Sequence, residues 1–579
     1  WDRALMASGA YLYAPFVPSG IPIEPMLKAG TLRYYADGAA ATVSVKTLTG
    51  TTTLTVDGKT DASNRGDMLT QALVAHVPLL LHPAPARVAV VGLGSGVTAG
   101  AALTHPVTAM DVIELSPEVV EASRFFATEN RQALADPRTR LIVGDGRSHL
   151  RLSRQTYDVI ISEPSNPWIA GVAALFTREY FAEARARLAP GGVFCQWANA
   201  YNIGDADLRA IAATFLAEFP GAAALLVGEY DVLLVGVAPG GPSAGAVPWD
   251  GVTRGLTRAG AAADLARYGA RSPFALLSLV VAGPEELAAF AAGAATLDDD
   301  RLPLEFSAPR EIHRRTGSAN GTTLRALLGA SGGPAAVRAA LDGATPADWR
   351  DRGLMLAKVD AFPRAFDDFV RALGGDPDDA AALDGLVRSA TLLQRADEAH
   401  TALVAAAGDT PPSVARLIAR SRLLAAAGKA DDARGVAREA MTLDPSRPEP
   451  LEQLAAIAAD ASDALSLATA LEPLERQFPD RAPTLFYGAV HAFLGGDAPH
   501  ALALAERAMA ADPQFAAVYD LAGAAAALVD RPDDARAHFE RSLAFDAHDS
   551  TAYANLGLLA LAAGRMDEAA SRFAEALWL

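Results

Sequence analysis

A proline returns at a fixed interval through the C-terminal half of this chain. The prolines stand 34 residues apart, at Pro377, Pro411, Pro445, Pro479 and Pro513. Two amphipathic helical patterns lie between successive prolines, and Gly428, Gly496 and Gly564 fall in phase in the turn between the two patterns. Since proline ends a helix and glycine permits a tight turn, this spacing predicts a repeated helix–turn–helix unit.

A 34-residue helix–turn–helix unit is the signature of tetratricopeptide repeats. One unit cannot bury its apolar face alone, so neighbouring units stack into a solenoid. We therefore predict an all-α tetratricopeptide solenoid over residues 346–579. Such a solenoid presents a concave surface, which suggests a protein or peptide partner, and a purely structural or dimerising role is the alternative. The apolar residues 576–579 predict either a truncated array or a contact with another segment.

The N-terminal half has a different pattern, in which β-strand signals come first and then alternate with helices. Imperfect apolar–polar alternation predicts a small antiparallel sheet from Thr31–Tyr35, Ala41–Lys46 and Thr51–Val56. A helix is predicted over Met68–Leu81 and another over Arg178–Leu188. Five further strands are predicted at Val88–Val91, Met110–Glu114, Arg140–Val143, Tyr157–Ser162 and Val193–Trp197. Strands that alternate with helices imply an α/β doubly wound, parallel sheet of the Rossmann-like type.

The ends of the first three of these five strands carry residues suited to an adenosyl ligand. The first strand runs into Gly92-Leu93-Gly94-Ser95-Gly96, whose glycines let backbone N–H groups approach a ligand closely. Glu114 ends the second strand, where a carboxylate can accept both ribose hydroxyls. Asp145-Gly146 follows the third, where a carboxylate can accept a hydrogen bond from an adenine amino group. Three such strand ends in succession predict one adenosyl-binding crevice.

The end of the fourth of these strands is the predicted reaction site. It continues as Glu163-Pro164-Ser165-Asn166-Pro167-Trp168. A carboxylate at this position can hold a cationic sulfonium or take a proton from an attacking amine. The alternative is that Glu163 is a helix cap or an ordinary loop carboxylate.

From about Tyr34 to Tyr201 the sequence resembles the spermidine synthase (polyamine aminopropyltransferase) family. It is most similar to a bacterial branch whose members are often joined to membrane segments and to tetratricopeptide repeats. The matching runs are Val56-Asp57-Gly58, Gln71, His76-Val77-Pro78-Leu79, the Gly92 loop, Val112-Ile113-Glu114, Gly144-Asp145-Gly146, Tyr157-Asp158-Val159-Ile160, Leu175-Phe176-Thr177 and Gln196-Trp197. The resemblance covers about a third of the chain, and its runs keep the family's order and spacing.

The resemblance implies a reaction in which an amine attacks the carbon next to the sulfur of decarboxylated S-adenosylmethionine and methylthioadenosine is released. It implies that Glu163 is the catalytic residue. Donor binding is implied for Gln71, Gly92, Gly94, Ser95, Gly96, Glu114, Asp145 and Gly146. Acceptor binding is implied for Asp61, Thr70, Asn166 and Trp168. It also implies a homodimer.

Several positions depart from the family pattern, mainly where the diamine would bind. The second aspartate of the family's D-x-x-D pair is Asn166, a tyrosine becomes Thr70, and a glutamine becomes Asp61. Ser95 replaces a loop aspartate associated with the donor's free amine, which removes a repulsion against a carboxylate. Each lost charged hydrogen bond costs a dication roughly 1–3 kcal/mol of binding. We therefore expect an acceptor other than a simple diamine, and a donor that is either decarboxylated or intact S-adenosylmethionine.

Composition narrows the choice of partners. The formal net charge of −18 repels phosphate backbones, so nucleic acid is not an expected partner. With one cysteine and no histidines at ligand spacing, we predict no metal. No run of 18 apolar residues appears, so no segment of this sequence is expected to span a membrane. The predicted location is cytoplasmic, with the soluble part of a membrane-linked precursor as the alternative that the resemblance adds.

The predicted organisation has four parts. Residues 1–66 form an extension and the small sheet, 67–310 the Rossmann-like domain, 311–345 a linker, and 346–579 the repeats. Residues 236–255, rich in Gly, Pro, Ala and Ser, are predicted to be a loop. Besides aminopropyl transfer, two functions stay open: an S-adenosylmethionine-dependent methyltransferase, and a non-catalytic adenosyl-ligand sensor or scaffold that acts through the repeats.

Overall fold

The fold is described from a computed structural model that covers residues 1–17, 20–329 and 331–579. The chain divides into two compact units. The first comprises residues 1–16, 32–46 and 52–361, and the second comprises residues 17–31, 47–51 and 362–579.

A four-stranded sheet lies near the N-terminus, with its strands in sequential order. Its strands are β1 (Thr31–Asp37), β2 (Thr42–Leu48), β3 (Thr51–Val56) and β4 (Lys59–Ser63). The three predicted strands are present, and β4 was not predicted. Strand β4 pairs antiparallel with β3 through a tight turn at Asp57-Gly58, where both residues have positive φ. The family-like Val-Asp-Gly run is therefore a hairpin turn, whose chemistry favours residues that tolerate positive φ.

The large sheet of the first unit has eight strands in the order β12-β10-β11-β9-β8-β5-β6-β7. Its strands are β5 (Arg87–Val91), β6 (Ala109–Glu114), β7 (Thr139–Val143), β8 (Tyr157–Ser162), β9 (Leu188–Asn199), β10 (Ala223–Val227), β11 (Asp231–Val237) and β12 (Val280–Ala282). Strands β5 to β9 are parallel and match the five predicted strands. The predicted doubly wound α/β fold is confirmed, but the prediction of a wholly parallel sheet is incomplete. Strand β11 runs antiparallel to β9, β10 to β11, and β12 to β10.

Helices cover the large sheet and fill the connections. As far as residue 361 they are α1 (Arg3–Met6), α2 (Ala10–Tyr13), α3 (Ile23–Lys28), α4 (Met68–Leu81), α5 (Val97–Ala102), α6 (Pro117–Ala122), α7 (Gly146–Leu152), α8 (Arg178–Ala186), α9 (Asp205–Glu218), α10 (Asp250–Gly255), α11 (Ala259–Tyr268), α12 (Pro273–Leu277), α13 (Pro284–Ala291), α14 (Leu304–Glu311), α15 (Gly317–Ala326), α16 (Ala335–Asp342) and α17 (Pro346–Ala357). The first predicted helix, Met68–Leu81, is present as α4, and its side chains are almost all buried.

Three sequence predictions about connections are corrected. The helix predicted to reach Leu188 ends at Ala186, because β9 begins at Leu188 and runs through the Pro-Gly-Gly segment. The predicted loop at 236–255 begins inside β11 and ends in α10. The stretch predicted as a linker, 311–345, contains helices α15 and α16. Small residues suggested a loop at 236–255, but they also allow close packing of a helix. For example, a Cβ on Gly251 in α10 would lie 2.8 Å from backbone atoms of Leu81.

A buried polar cluster joins α4 to α11 in the first unit. The ring nitrogens of His76 lie 2.8 Å from Nε2 of His105 and 3.1 Å from the Asp264 carboxylate. Asp264 also accepts hydrogen bonds from Arg131 and Arg267. Burial works to raise the pKa of Asp264, but the hydrogen bonds and charges of His76 and Arg131 outweigh burial and hold that pKa well below its usual value.

We expect Asp264→Asn to lower the free energy of unfolding by about 2–3 kcal/mol, since buried charged hydrogen bonds are lost. Because the folded-state pKa of Asp264 is depressed, its contribution is present at neutral pH and is lost as the pH falls toward that pKa. Chemical denaturation of the full chain measures the difference. Asp250→Asn is the control, since exposed Asp250 pairs with Arg254 at 2.7 Å and exposed pairs contribute about 1 kcal/mol or less. Equal losses for both variants would contradict the prediction.

Residues 362–579 are helical throughout. The helices are α18 (Phe362–Gly375), α19 (Ala380–Leu392), α20 (Ala396–Ala407), α21 (Val414–Ala426), α22 (Ala430–Leu443), α23 (Glu449–Asp460), α24 (Ala464–Gln477), α25 (Ala482–Leu494), α26 (Ala498–Ala511), α27 (Ala517–Leu528), α28 (Pro532–Phe545), α29 (Ser550–Ala562) and α30 (Met566–Trp578). The glycines predicted in the turns, Gly428, Gly496 and Gly564, have φ of +76°, +79° and +73°. The predicted tetratricopeptide solenoid is confirmed.

The repeated packing has a sequence basis as well. Gly523 on α27 lies against Phe539 on α28, and 34 residues later Gly557 on α29 lies against Phe573 on α30. A Cβ on either glycine would come within 3 Å of the phenylalanine ring, so the small residue lets the two helices approach. The apolar end of the solenoid contacts a segment of its own unit, since the Trp578 indole donates a 2.7 Å hydrogen bond to the Met26 carbonyl of α3.

Within the parts of the chain that the structure describes, none of the helices is long and apolar enough to cross a membrane.

Candidate active site

A cavity of about 670 Å³ opens at the carboxyl ends of β5, β6, β7 and β8. Strand β4, the start of α4 and the start of β11 also contribute to its wall. The predicted site residues that line it are Asp61, Thr70, Gln71, Gly92, Gly94, Ser95, Glu114, Asp145, Gly146 and Glu163. Gly96, Asn166 and Trp168 are not part of its lining. The carboxyl edge of a parallel sheet is where ligands bind in α/β folds of this kind.

Gly92 holds the first loop against the end of β8. Its φ is +91°, and a Cβ at this position would lie 2.4 Å from the Glu163 carbonyl oxygen. The Gly92 N–H donates to the Ile113 carbonyl at 2.9 Å, and the Glu163 N–H donates to the Val91 carbonyl at 2.9 Å. Glycine is therefore required here both by backbone conformation and by space. Gly96 instead caps α5, where its added Cβ would meet Asn130, so its role is to shape the loop.

Glu114 lies buried at the end of β6. Its two carboxylate oxygens accept backbone N–H bonds from Leu93 at 2.9 Å and Ser116 at 2.8 Å. Burial raises the pKa of Glu114 despite these bonds. The carboxylate thus holds the Gly92 loop to the end of β6, and each oxygen keeps a further lone pair for a ligand hydroxyl.

Asp145 and its neighbour Gly146 begin α7. The Asp145 side chain caps this helix by accepting the Ser148 N–H at 2.7 Å. Arg147, one residue after Gly146, also lines the cavity and pairs with Asp299 at 2.5 Å and Glu183 at 3.2 Å. The acidic turn at 298–300 therefore reaches the rim of the cavity through Arg147.

Ser95 and Gln71 form a buried contact between the glycine-rich loop and α4. The Ser95 hydroxyl donates to Oε1 of Gln71, and Nε2 of Gln71 donates to the Ser63 carbonyl at 2.9 Å. Ser95 also accepts the Val97 N–H at 3.2 Å. Both side chains line the cavity, so this neutral pair stands where the family pattern has an aspartate.

Glu163 is a half-buried carboxyl that follows the end of β8 and lines the cavity. The Thr98 hydroxyl lies 2.5 Å from its Oε2. Burial raises the pKa of Glu163 to about 8, and the negative charges of Asp67, Asp231 and Asp61 act in the same direction, against the hydrogen bond from Thr98. A carboxyl with this pKa can exchange a proton near neutral pH, as a general base must.

Two further carboxyls line the cavity that the sequence analysis did not identify. Asp231 begins β11, and it accepts hydrogen bonds from Thr70 Oγ1 at 2.7 Å and Trp197 Nε1 at 3.2 Å. Burial raises the pKa of Asp231 to about 6. Asp67 precedes α4 and accepts the Ser63 N–H at 3.0 Å, and burial raises its pKa as well. A cation bound among these carboxyls would lower their pKa values, since opposite charge favours the ionised form.

The position of Asp231 follows from strand direction. In the β9–β11 pairing, Asp231 lies opposite Asn199 at the end of β9. Because β11 is antiparallel, its first residue reaches the edge where the parallel strands end. The signal in the sequence was the Gly228-Glu229-Tyr230 turn between two apolar runs, which is typical of a hairpin.

Strand β4 brings a lysine into the cavity. Asp61 is the extra residue of a bulge in the β3–β4 pairing, and its side chain pairs with that of Lys59 at 2.9 Å. Asp61 also accepts the Ser165 hydroxyl at 2.7 Å, which ties β4 to the loop after β8. Burial opposes the charge of Lys59, but Tyr201 and Asp61 outweigh burial and keep the lysine pKa above its usual value.

Asn166 and Trp168 stand behind the cavity wall. The Asn166 amide donates to the Tyr201 hydroxyl at 3.2 Å, and Trp168 packs edge-on against the Tyr201 ring. Tyr201 itself lines the cavity. The two residues predicted to touch the acceptor therefore support a residue that was not predicted.

Comparison with known proteins shows which family of domains the residues around this site match. Residues 68–229 match the model of the spermine/spermidine synthase domain. The chain contains a spermidine synthase domain. Its relatives include a spermidine synthase of Dictyostelium discoideum, 38% identical over 143 residues, or 24% of this chain and 50% of that protein. A putrescine N-methyltransferase of Nicotiana tabacum is 33% identical over 148 residues, or 25% of this chain and 42% of that protein.

Among solved structures, a spermidine synthase of Thermotoga maritima aligns with a TM-score of 0.33 at 22% identity, covering 37% of this chain and 75% of that one. This chain spans about half the length of the curated relatives it matches. The spermidine synthase domain contains β5 to β10 and the whole glycine-rich loop, whereas Lys59, Asp61 and Asp231 lie outside the matched residues. Within the described residues, no group of three or more His, Cys, Asp or Glu side chains is arranged to hold a metal ion.

Proposed function

We propose that the spermidine synthase domain transfers an aminopropyl-type group from decarboxylated S-adenosylmethionine to an amine acceptor. The observation that carries this proposal is Glu163, a half-buried carboxyl that lines the cavity and whose pKa burial among carboxylates raises to about 8. Along the sheet, β8 lies between β11, where Asp231 begins the strand, and β6 and β7, at whose ends lie the adenosyl-type residues Glu114 and Asp145. The relatives named spermidine synthase and polyamine aminopropyltransferase support the same reaction.

In this reaction the lone pair of the acceptor nitrogen attacks the propyl carbon next to the sulfonium sulfur. A C–N bond forms, and the C–S bond breaks with its electron pair moving to sulfur, which becomes the neutral thioether of methylthioadenosine. The acceptor nitrogen gives one proton to the Glu163 carboxylate. The low-dielectric cavity strengthens the attraction between its carboxylates and both cationic reactants.

The experiment that tests this proposal is incubation of the full chain with decarboxylated S-adenosylmethionine and a panel of primary amines. Chromatography should detect methylthioadenosine together with an amine extended by three carbons and one nitrogen. Neither product appearing with any amine would contradict the proposal. Intact S-adenosylmethionine belongs in the same panel, because the neutral Ser95 stands where the family has an aspartate.

Asp231→Asn is expected to raise the KM for the amine by about 10- to 100-fold, because the variant loses a charged hydrogen-bond acceptor in the cavity. The KM for the sulfonium donor should change much less. Steady-state kinetics with each substrate varied measures the split. Asp158→Asn is the matched control. Asp158 accepts two backbone N–H bonds of 2.8 Å, and it is not part of the cavity lining. Parallel changes in both KM values would argue against an acceptor-binding role.

Methyl transfer is the second candidate reaction. The match to a putrescine N-methyltransferase favours it, as does the absence of an acidic residue at Ser95. In that case the methyl carbon of intact S-adenosylmethionine is attacked, and the products are a methylated amine and S-adenosylhomocysteine. Detecting S-adenosylhomocysteine rather than methylthioadenosine would identify this reaction.

The repeats are proposed to bind a protein or peptide on their concave surface, as solenoids of this kind generally do. Partners are captured by pull-down with the full chain and with a chain that lacks residues 362–579, and the transfer reaction is assayed in both. Loss of a partner without loss of transfer would separate this role from catalysis.

A further inference from the structure

Lys59 is an unusual component of a cavity otherwise rich in carboxyls. Of the described residues that line the cavity, two are basic, Lys59 and Arg147. Arg147 pairs with Asp299 and Glu183 at the rim. The Lys59 side chain is only 7% exposed. A buried ammonium is costly unless its hydrogen-bond donors are satisfied.

The hydrogen bonds of this ammonium are incomplete. Among the described residues, the Asp61 carboxylate at 2.9 Å is the one acceptor within hydrogen-bonding distance of Lys59 Nζ. An ammonium has three N–H donors, so two remain for a ligand. Asp61 is held in turn by the Ser165 hydroxyl, so the pair is fixed between β4 and the loop after β8.

The rest of the acceptor half of the cavity is lined by acidic side chains, in contrast to the ammonium of Lys59. Glu163, Asp231 and Asp67 contribute carboxyls from β8, β11 and the start of α4, and all three line the cavity. The positive charge of Lys59 works to lower the pKa values of Asp231 and Asp67, so the ammonium and these carboxyls share one region of the cavity. This region therefore combines acceptors suited to an amine with N–H donors suited to an oxyanion.

We infer that the acceptor is an amino carboxylate, with a primary amine at one end of a short chain and a carboxylate at the other that binds Lys59. This inference rests on the proposed function and specifies its substrate class. A carboxylate would satisfy the two remaining N–H donors of Lys59. The second ammonium of a diamine would add like charge and further donors at the same place, where Asp61 is already bonded to Lys59 and Ser165.

The test compares 4-aminobutyrate, 5-aminopentanoate, putrescine and 1-aminobutane as acceptors for the full chain. Binding is measured by calorimetry in the presence of methylthioadenosine, and turnover by methylthioadenosine release from the donor. We expect at least one amino carboxylate to exceed putrescine and 1-aminobutane by about tenfold or more in affinity and in kcat/KM. Lys59→Gln should abolish this preference, Lys59→Arg should keep part of it, and Lys429→Gln should leave it unchanged. Lys429 is a suitable control because it pairs with Asp397 at 2.8 Å within the solenoid.

The possible failures can be told apart. A preference of the unmodified chain for putrescine, or no binding of any amino carboxylate, would overturn the inference even if a variant failed to fold. Methylthioadenosine release with putrescine would then leave the proposed transfer standing. Binding of an amino carboxylate without release of methylthioadenosine would overturn the transfer reaction and support the ligand class. An amino carboxylate preference that Lys59→Gln leaves intact would overturn the role of Lys59.

Discussion

Glu163→Gln is expected to lower kcat for methylthioadenosine release by about 100- to 10,000-fold, which is the usual contribution of a general base. Glutamine keeps the shape of the side chain and can still contact the Thr98 hydroxyl, but it cannot accept the proton of the attacking amine. Binding of the adenosyl ligand should persist, because Glu114 and the glycine-rich loop are unchanged. Rapid-quench measurement of turnover, with calorimetry of methylthioadenosine binding, separates the two effects.

The pH dependence provides a second measurement of the same variant. Because burial raises the pKa of Glu163 to about 8, the group is protonated below that pH and cannot act as a base. The kcat/KM for the donor should therefore rise with pH, about tenfold per unit, and level off above about 8. This break should be absent in Glu163→Gln.

Glu218→Gln is the control for this experiment, since Glu218 pairs with Arg185 at 2.8 Å on α9, outside the cavity lining. It should leave both kcat and the pH profile unchanged. If Glu163→Gln retained full turnover, the general-base role would be wrong. If neither the unmodified chain nor Glu163→Gln released methylthioadenosine while both bound an adenosyl ligand, the sensor or scaffold function would gain support.

Gly92→Ala is expected to weaken binding of the sulfonium donor by at least about tenfold and to destabilise the first unit by about 1–3 kcal/mol. The added Cβ would lie 2.4 Å from the Glu163 carbonyl oxygen, and alanine is strained at a φ of +91°. The loop and the end of β8 must therefore move apart, which displaces the backbone N–H groups and Glu163 together. Calorimetry with methylthioadenosine and thermal unfolding measure the two losses.

Gly144→Ala is the matched control for Gly92→Ala. Gly144 lies between β7 and α7 at the same edge of the sheet, but an added Cβ there meets no atom within 4 Å. We expect donor binding and thermal stability close to those of the unmodified chain. If both variants lost affinity equally, the effect would come from the general rigidity of these loops rather than from the contact between Gly92 and Glu163.

The donor half of the candidate site could be predicted from sequence because each part of it is local. An apolar β-branched strand followed directly by glycines or a carboxylate identifies the end of a parallel strand, as at Val91-Gly92 and at Glu114. Parallel strands end at one edge, so these ends must converge. In the structure, Gly92, Glu114, Asp145 and Glu163 line one cavity, and their role in binding a donor stays a prediction.

The acceptor half could not be predicted in the same way. The sequence analysis concluded that a carboxylate was lost at Asn166 and a phenol at Thr70, where the family pattern holds a diamine. The structure brings Asp231 and Asp67 into that region from β11 and from the start of α4. Thr70 donates a hydrogen bond to Asp231, so a replaced residue now orients a carboxylate that the family motif does not contain.

The sequence by itself determined the 34-residue repeat, the succession of five parallel strands along the chain and the residues at their ends, because all three depend on short-range spacing. Only the tertiary structure decided the charge of the cavity. The antiparallel turn of β11 brings Asp231 to the edge of the sheet, and the β3–β4 hairpin brings in Lys59. The pKa of Glu163 depends on burial and on Asp67, Asp231 and Asp61, each of which lies far from Glu163 in the chain. Electrostatic energy depends on distance in space and on exclusion of water, and neither can be read from spacing along the chain.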